Sequence, residues 1–318
     1  MIKKAATRGR VPLVGAVIVS LALAVSACSS GPTALPGSAP SGAASGTGSD
    51  TLLAKAPVAA TDLIIPASTM EKIKKRGKLI VAEALDAPLL SQQDPTHPET
   101  VTGFDAELAK MLAIYILGKP SVEIVPPASE TREAMLANGT VDVVFNTYTI
   151  TPERAKQVHF AGPYFTSGLA VAVRSDNTTI KGIADLGGKK VIVGANTPAV
   201  TAVPTKQSTA TLVSFATDPQ AVQALIQGRG EAYVQDYTLL ASDAASEKQI
   251  KVVGQPFTSE PYGIGLKLGD AKFKDFINTW LTTIQKSGLW GQAWKTTLGT
   301  VVDSSIPTPP TIGSVPGS

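Results

Sequence analysis

The sequence predicts an α/β protein of two lobes with a ligand cleft between them. Three observations carry that expectation. Short β-branched runs at 78–82, 141–145, 191–193 and 231–234 alternate with longer segments of helical apolar spacing. The alternation starts afresh at Ile183-Ala-Asp-Leu-Gly-Gly-Lys-Lys-Val191, after the strand-like Leu169–Arg174, so a second α/β unit opens there. A chain of 318 residues, 43% apolar and 17% charged, is also long enough to bury two separate cores.

Residues 1–27 read as a secretion signal: Lys3, Lys4, Arg8 and Arg10, then an apolar stretch, then small residues. That stretch is too short and wrongly flanked for a permanent transmembrane helix. The net charge is +3, and without those N-terminal cations the remainder is slightly acidic. No footprint for nucleic acid remains. Val25-Ser26-Ala27-Cys28 looks like a lipobox, in which Cys28 is diacylated and becomes the mature N-terminus. An ordinary signal peptide that happens to contain a cysteine is the alternative. Two acyl chains, at about 0.8 kcal/mol per buried CH2, anchor stably where one would not. A single cysteine forms no intrachain disulfide and no Cys-based zinc site. Residues 28–65, rich in Ser, Gly, Ala, Thr and Pro, have the composition of a flexible tether.

The folded part is expected from residue 66. Ser68-Thr69-Met70-Glu71 is a helix cap with an acid in the first turn. Residues 78–82 are the first strand, and the loop at 83–98 should line a cleft at its carboxyl end, where α/β sheets place ligands. Gly103-Phe104-Asp105, followed by Glu107, Leu108, Ala109 and Leu112, reads as a packing helix. Ala134, Leu136 and Ala137 give the next helix its apolar stripe, and Asn138-Gly139 ends it. The strand at 141–145 then runs into Asn146, Thr147, Tyr148, Thr149 and Thr151, with Pro152 opening a helix that carries Arg154. Hydroxyls and backbone N–H groups at a helix start, beside a planar arginine fork, suit a carboxylate.

The run T-x-T-I-T-P-E-R, followed by Phe160-Ala-Gly-Pro-Tyr-Phe165, resembles the core motif of bacterial extracellular solute-binding proteins of family 3, the amino-acid receptors of ABC importers. The resemblance extends loosely from about Gly77 to Leu298. It implies a periplasmic-binding-protein-like fold of type II, with lobe I at 66–168 and 258–302 and lobe II at 169–257. By this resemblance Arg154 binds the ligand's α-carboxylate, helped by Thr147 and Thr149, and Asp236 binds its α-ammonium group. Asp86, with Glu83 as second choice, is the acid that family members often place in the loop after the first strand. The aromatic residue usual in that loop is missing, since Leu85, Leu89 and Leu90 occupy the region. Pro261-Tyr-Gly-Ile-Gly-Leu266 resembles the return strand to the first lobe.

In the second lobe, Gly194-Ala-Asn-Thr197-Pro198 stands where the family usually has G-T-T or G-S-T. Thr197 keeps one hydroxyl for the carboxylate, whereas Pro198 has no N–H to offer. Arg132 lies in T-R-E-A-M-L-A-N-G, similar to a segment of glutamate/aspartate receptors whose arginine meets the distal carboxylate. The segments around 130–150 and 197–199 are also similar to actinobacterial glutamate-binding lipoproteins. A surface ion pair of Arg132 with Glu130 or Glu133 is the alternative, worth little energetically.

Catalysis has less support. His97 lies in a Pro-rich loop and His159 falls outside the hydroxyl cluster, and neither a nucleophile elbow nor a P-loop is present. The expectation is a binding protein without catalytic residues, cofactor or metal site, lipid-anchored outside the cell membrane, monomeric, and delivering glutamate, aspartate or glutamine to an ABC permease. A sensor subunit for a membrane kinase and a periplasmic dehydratase-like enzyme remain as alternatives on the same fold. Residues 303–318, rich in Pro, Ser and Gly, have the composition of a disordered tail.

Overall fold

The computed structural model describes residues 48–303 and 305–318. The signal segment, Cys28 and most of the tether lie outside the described residues. Among the described residues no helix is long and apolar enough to cross a membrane.

Two five-stranded sheets of matching plan organise the chain. The first runs Val122–Val125, Leu79–Ala82, Val143–Val144, Glu260–Lys267 and Val158–Ser167 in spatial order. The second runs Thr211–Phe215, Lys190–Gly194, Ala232–Asp236, Leu169–Arg174 and Ile250–Val253. In each, three parallel strands are followed by one strand antiparallel to both its neighbours. The parallel strands are apolar and β-branched because helices cover both sheet faces. The sheet strand Val143–Val144 is shorter than the apolar run around it. The Asp142 carboxylate there pairs with Arg76 and accepts the Ile80 N–H at 2.8 Å, taking a place that a strand neighbour would hold.

Local signals position the first lobe's helices. Ser68 Oγ accepts the Glu71 N–H at 3.2 Å, and helix Thr69–Arg76 ends on Gly77 at φ 78°. Helix Arg132–Asn138 ends on Gly139 at φ 77°. The apolar helix Phe104–Leu117 is covered by helix Leu289–Thr296: the Phe104 ring lies 5.7 Å from that of Trp290 and 5.9 Å from that of Trp294, both edge-on. Trp290 Nε1 donates to the Tyr164 carbonyl at 2.9 Å, so this buried ring leaves no polar atom unsatisfied.

The chain crosses between the sheets at residues 167–169 and again at 254–260. The crossings touch: Leu169 N donates to Thr258 Oγ1 and Phe257 N to the Leu169 carbonyl, each at 2.8 Å. Gly168 sits at the closest approach, where a Cβ would run into the Thr258 carbonyl and Pro256. Two short connecting segments in contact are the arrangement that a hinge requires.

Two terminal segments differ from their compositional reading. Within the tether, helix Gly48–Leu53 buries Leu52 in the first lobe's core, and Ala59 N donates to the Tyr115 carbonyl at 2.9 Å. At the other end, residues 305–318 lie against the first lobe instead of being free. Gly313 N donates to the Gly162 carbonyl at 2.8 Å, and Ile312 and Val315 pack on core clusters. The prolines of this tail reduce the entropy lost on ordering it, so a few apolar contacts suffice.

Candidate ligand-binding cleft

The carboxyl ends of all six parallel strands converge on one cavity of about 90 Å3. Ala84, Pro126 and Asn146 follow the three strands of the first sheet, and Gly194, Ala216 and Asp236 end or follow those of the second. Asp86, Arg132, Thr147, Thr149, Arg154, Thr197 and Asp236, the residues singled out in the sequence, all line it.

Arg154 sits in the one-turn helix Pro152–Ala155, whose N-cap Thr151 accepts the Arg154 N–H at 3.2 Å. A single turn carries little macrodipole, so anion binding here rests on the guanidinium rather than on the helix start. The side chain is buried. Nη1 donates to the Thr149 carbonyl at 2.8 Å, Nη2 to the Asn196 carbonyl at 2.7 Å, and Nε lies 3.5 Å from Glu133 Oε1. Burial lowers its pKa.

Arg132 is 3% exposed, and the surface ion pair is not formed. Nε donates to the Ser129 carbonyl and Nη1 to the Asn146 carbonyl, each at 3.1 Å. Among the described residues Nη2 makes no hydrogen bond. Burial, and then the Arg154 charge, pull this guanidinium's pKa down to about 10. The Tyr148 ring lies beneath both arginines, and its hydroxyl donates to Glu133 Oε1 at 2.7 Å.

Asp236 stands on the other lobe and caps helix Tyr237–Ser246. Oδ1 accepts from Ser167 Oγ at 2.8 Å, Thr238 N at 3.0 Å and Thr238 Oγ1 at 2.8 Å. Oδ2 is buried and has no hydrogen-bond partner among the described residues. Burial pushes the carboxyl above its usual range. An orphaned buried carboxylate oxygen is unfavourable unless a donor reaches it.

The threonines differ in what they offer. Thr147 holds φ at 44°, strained for a β-branched residue, with its N–H donating to Asp105 Oδ2 at 3.0 Å. Thr149 reaches toward Glu260. The Thr197 hydroxyl already donates to the Gly194 carbonyl at 2.8 Å, so it must turn to donate to a ligand. Asp86 is at the rim, with its carboxyl shifted up by burial. Glu83 lies fully buried behind that loop with neither oxygen paired, and burial drives its pKa well up.

Three acids in the lining were not picked out from sequence. Asp105, read as part of a packing helix, also accepts the Tyr164 hydroxyl at 2.8 Å, and burial raises it to about 6. Asp218 accepts the Tyr233 hydroxyl at 2.6 Å and interacts electrostatically with buried Asp243; burial raises both. Glu260 opens the return strand and is likewise raised by burial. The first two stand in the first turns of helices Phe104–Leu117 and Asp218–Ile226, and only the tertiary fold turns them inward. Among the described residues no aromatic lines the cavity; Ala87 and Leu90 fill the first-lobe wall, and Leu169 and Leu239 face the cavity as well.

Residues 79–299 match the description of bacterial extracellular solute-binding proteins, family 3. The chain belongs to this family. Among its relatives, the ABC transporter glutamine-binding protein GlnH of Bacillus subtilis is 32% identical over 229 residues, covering 71% of this chain and 83% of that protein. The glutamate-binding protein GluB of Corynebacterium efficiens is 31% identical, covering 67% of this chain and 76% of that one. Among solved structures, an ancestral amino acid-binding protein, a precursor of cyclohexadienyl dehydratase, superposes with a TM-score of 0.66 at 34% identity. The match covers 73% of this chain and 100% of that one. The two-lobed α/β architecture of this family 3 protein is that of an amino-acid-binding protein. Among the described residues no cluster of His, Cys, Asp and Glu could hold a metal ion.

Proposed function

We propose that this chain is an amino-acid-binding lipoprotein serving an ABC importer, with glutamate as its ligand and no enzymatic turnover. One observation carries the reading: Arg154 from one lobe and Asp236 from the other line the same cavity, and Asp236 Oδ2 has no partner among the described residues. A zwitterion needs a cation for its carboxylate and an acid for its ammonium, both shielded from water. The relatives' named ligands, glutamine and glutamate, support the same class. Micromolar affinity or better, about −8 kcal/mol, is expected from two such anchors.

In this reading the ligand docks on Arg154 in the first lobe, and the hinge at Gly168 brings Asp236 and Thr197 over it. Thr147 and Thr149 hold the carboxylate beside Arg154, and Asp86 closes the rim. Arg132 Nη2 takes the distal carboxylate. Aspartate, with a shorter side chain, binds less well. Glutamine is a second reading, favoured by Asp86 and Asp218 in the lining, which suit an amide's N–H groups. The protein works as a monomer, held to the outer membrane face by lipid on Cys28. A thermal-shift screen of the twenty amino acids tests the function: glutamate should give the largest rise, and no rise with any amino acid refutes it.

A further inference from the structure

Asn196 crosses from one lobe to the other at the edge of the cavity. It belongs to the turn after strand Lys190–Gly194, at φ 55°, a left-handed conformation that asparagine tolerates better than most residues. Its carbonyl accepts Arg154 Nη2 at 2.7 Å. Its side-chain Nδ2 donates to the Ser129 carbonyl at 3.3 Å and to Glu133 Oε2 at 3.5 Å. All three partners are in the first lobe. Glu133 in turn holds Arg154 Nε and the Tyr148 hydroxyl through its other oxygen, so Asn196, Glu133 and Arg154 close a ring of contacts.

The position of that ring matters. Arg154, Thr197 and Pro198 line both the inner cavity and a wider surface groove, and Glu133 and Asn196 also line the groove. The ring therefore stands in the wall between the cavity and solvent. Arg154 is tied to both lobes at once, through the Thr149 carbonyl on one side and the Asn196 carbonyl on the other.

We infer that Asn196 is the latch of the closed state, a positioning residue that holds the lobes shut through Arg154 and Glu133 and blocks the ligand's exit past Arg154. The inference rests on the reading of Arg154 as the ligand's carboxylate anchor. The backbone bond to Arg154 survives substitution, whereas the two amide bonds need this side chain. Asn196→Gly keeps the left-handed turn and removes both amide bonds. Asn196→Asp sets a carboxylate against two acceptors, the Ser129 carbonyl and the Glu133 carboxylate, and repels them.

Stopped-flow dissociation of L-glutamate and L-glutamine from the purified protein tests this. Asn196→Gly should release ligand about threefold to tenfold faster, the range for losing one or two exposed hydrogen bonds, and Asn196→Asp faster still. The thermal midpoint of ligand-free Asn196→Gly should stay at the wild-type value, which a merely structural role for the turn would not allow. Dissociation from both variants within about twofold of wild type overturns the latch. If wild type binds neither amino acid, the functional reading fails on its own. Small-angle scattering of the ligand-free proteins then decides the latch: a larger radius for Asn196→Asp supports it, and equal radii overturn it.

Discussion

Arg132 and Arg154 place their guanidinium carbons 4.6 and 4.8 Å from the centre of one ring, that of Tyr148. Two buried cations over one aromatic ring repel each other, and the ring's negative face offsets only part of that. Glu133 supplies one carboxylate at the pair, 3.5 Å from Arg154. In the proposed reading, the ligand's second carboxylate offsets the positive charge that two arginines and one acid leave at the pair.

Charge at the ligand's far end should therefore decide affinity. Glutamate is expected to bind better than glutamine by roughly 1–3 kcal/mol, the worth of a charge-assisted bond over a neutral one. Arg132→Met keeps the stem's bulk and removes the charge. Competition titrations should show it weakening glutamate strongly and glutamine little. Equal glutamate affinity in wild type and variant would leave a general polar amino-acid receptor.

Ligand capture should depend on pH through Asp236. Its carboxyl is raised by burial, and only the ionised form pairs with an ammonium group. Affinity is thus present above that raised pKa and lost as pH falls through it, at a higher pH than for an ordinary aspartate. The bound ammonium lowers the pKa again, so binding at a pH between the two values releases a proton. Calorimetry in two buffers of different ionisation heat should register that release, and Asp236→Asn should abolish it. Identical heats in both buffers contradict the assignment.

How far the sequence revealed this site depends on whether a signal was local. Arg154 stood out because hydroxyls, a proline and an arginine follow a strand within a few residues, and Thr147, Thr149 and Arg154 of that run are in the cavity wall. The caps at Ser68 and Gly139 were legible for the same reason. Asp105 was not, because its role comes from Thr147, 42 residues away, whose strained N–H it accepts. Asn196 was hidden likewise: its partners lie on the opposite lobe. The tail at 305–318 misled through composition, since its few apolar residues find prepared surfaces only in the folded lobe.

The hinge should tolerate no side chain at Gly168. Gly168→Ala drives a Cβ into the Thr258 carbonyl and Pro256, and overpacking of this kind costs about 1–3 kcal/mol. Urea unfolding should show a lower midpoint, with ligand binding weakened as well because both crossings shift. An unchanged midpoint would mean that the crossings separate easily.

Attachment to the membrane should depend on one residue. Cys28→Ala is expected to give uncleaved precursor or released protein in place of a membrane-bound form. Fractionation of cells expressing the two chains reads this directly, and a variant still processed and membrane-bound like wild type argues against lipid on Cys28.

The central claim is that Arg154 and Asp236 hold a zwitterion between the lobes, and titration calorimetry of L-glutamate into wild type, Arg154→Ala and Asp236→Ala tests it most directly. Each substitution should cost about 2–5 kcal/mol of binding, because each also leaves a ligand charge buried and unpaired. Either variant binding within about threefold of wild type, less than 1 kcal/mol, would contradict the account by removing that residue from the site.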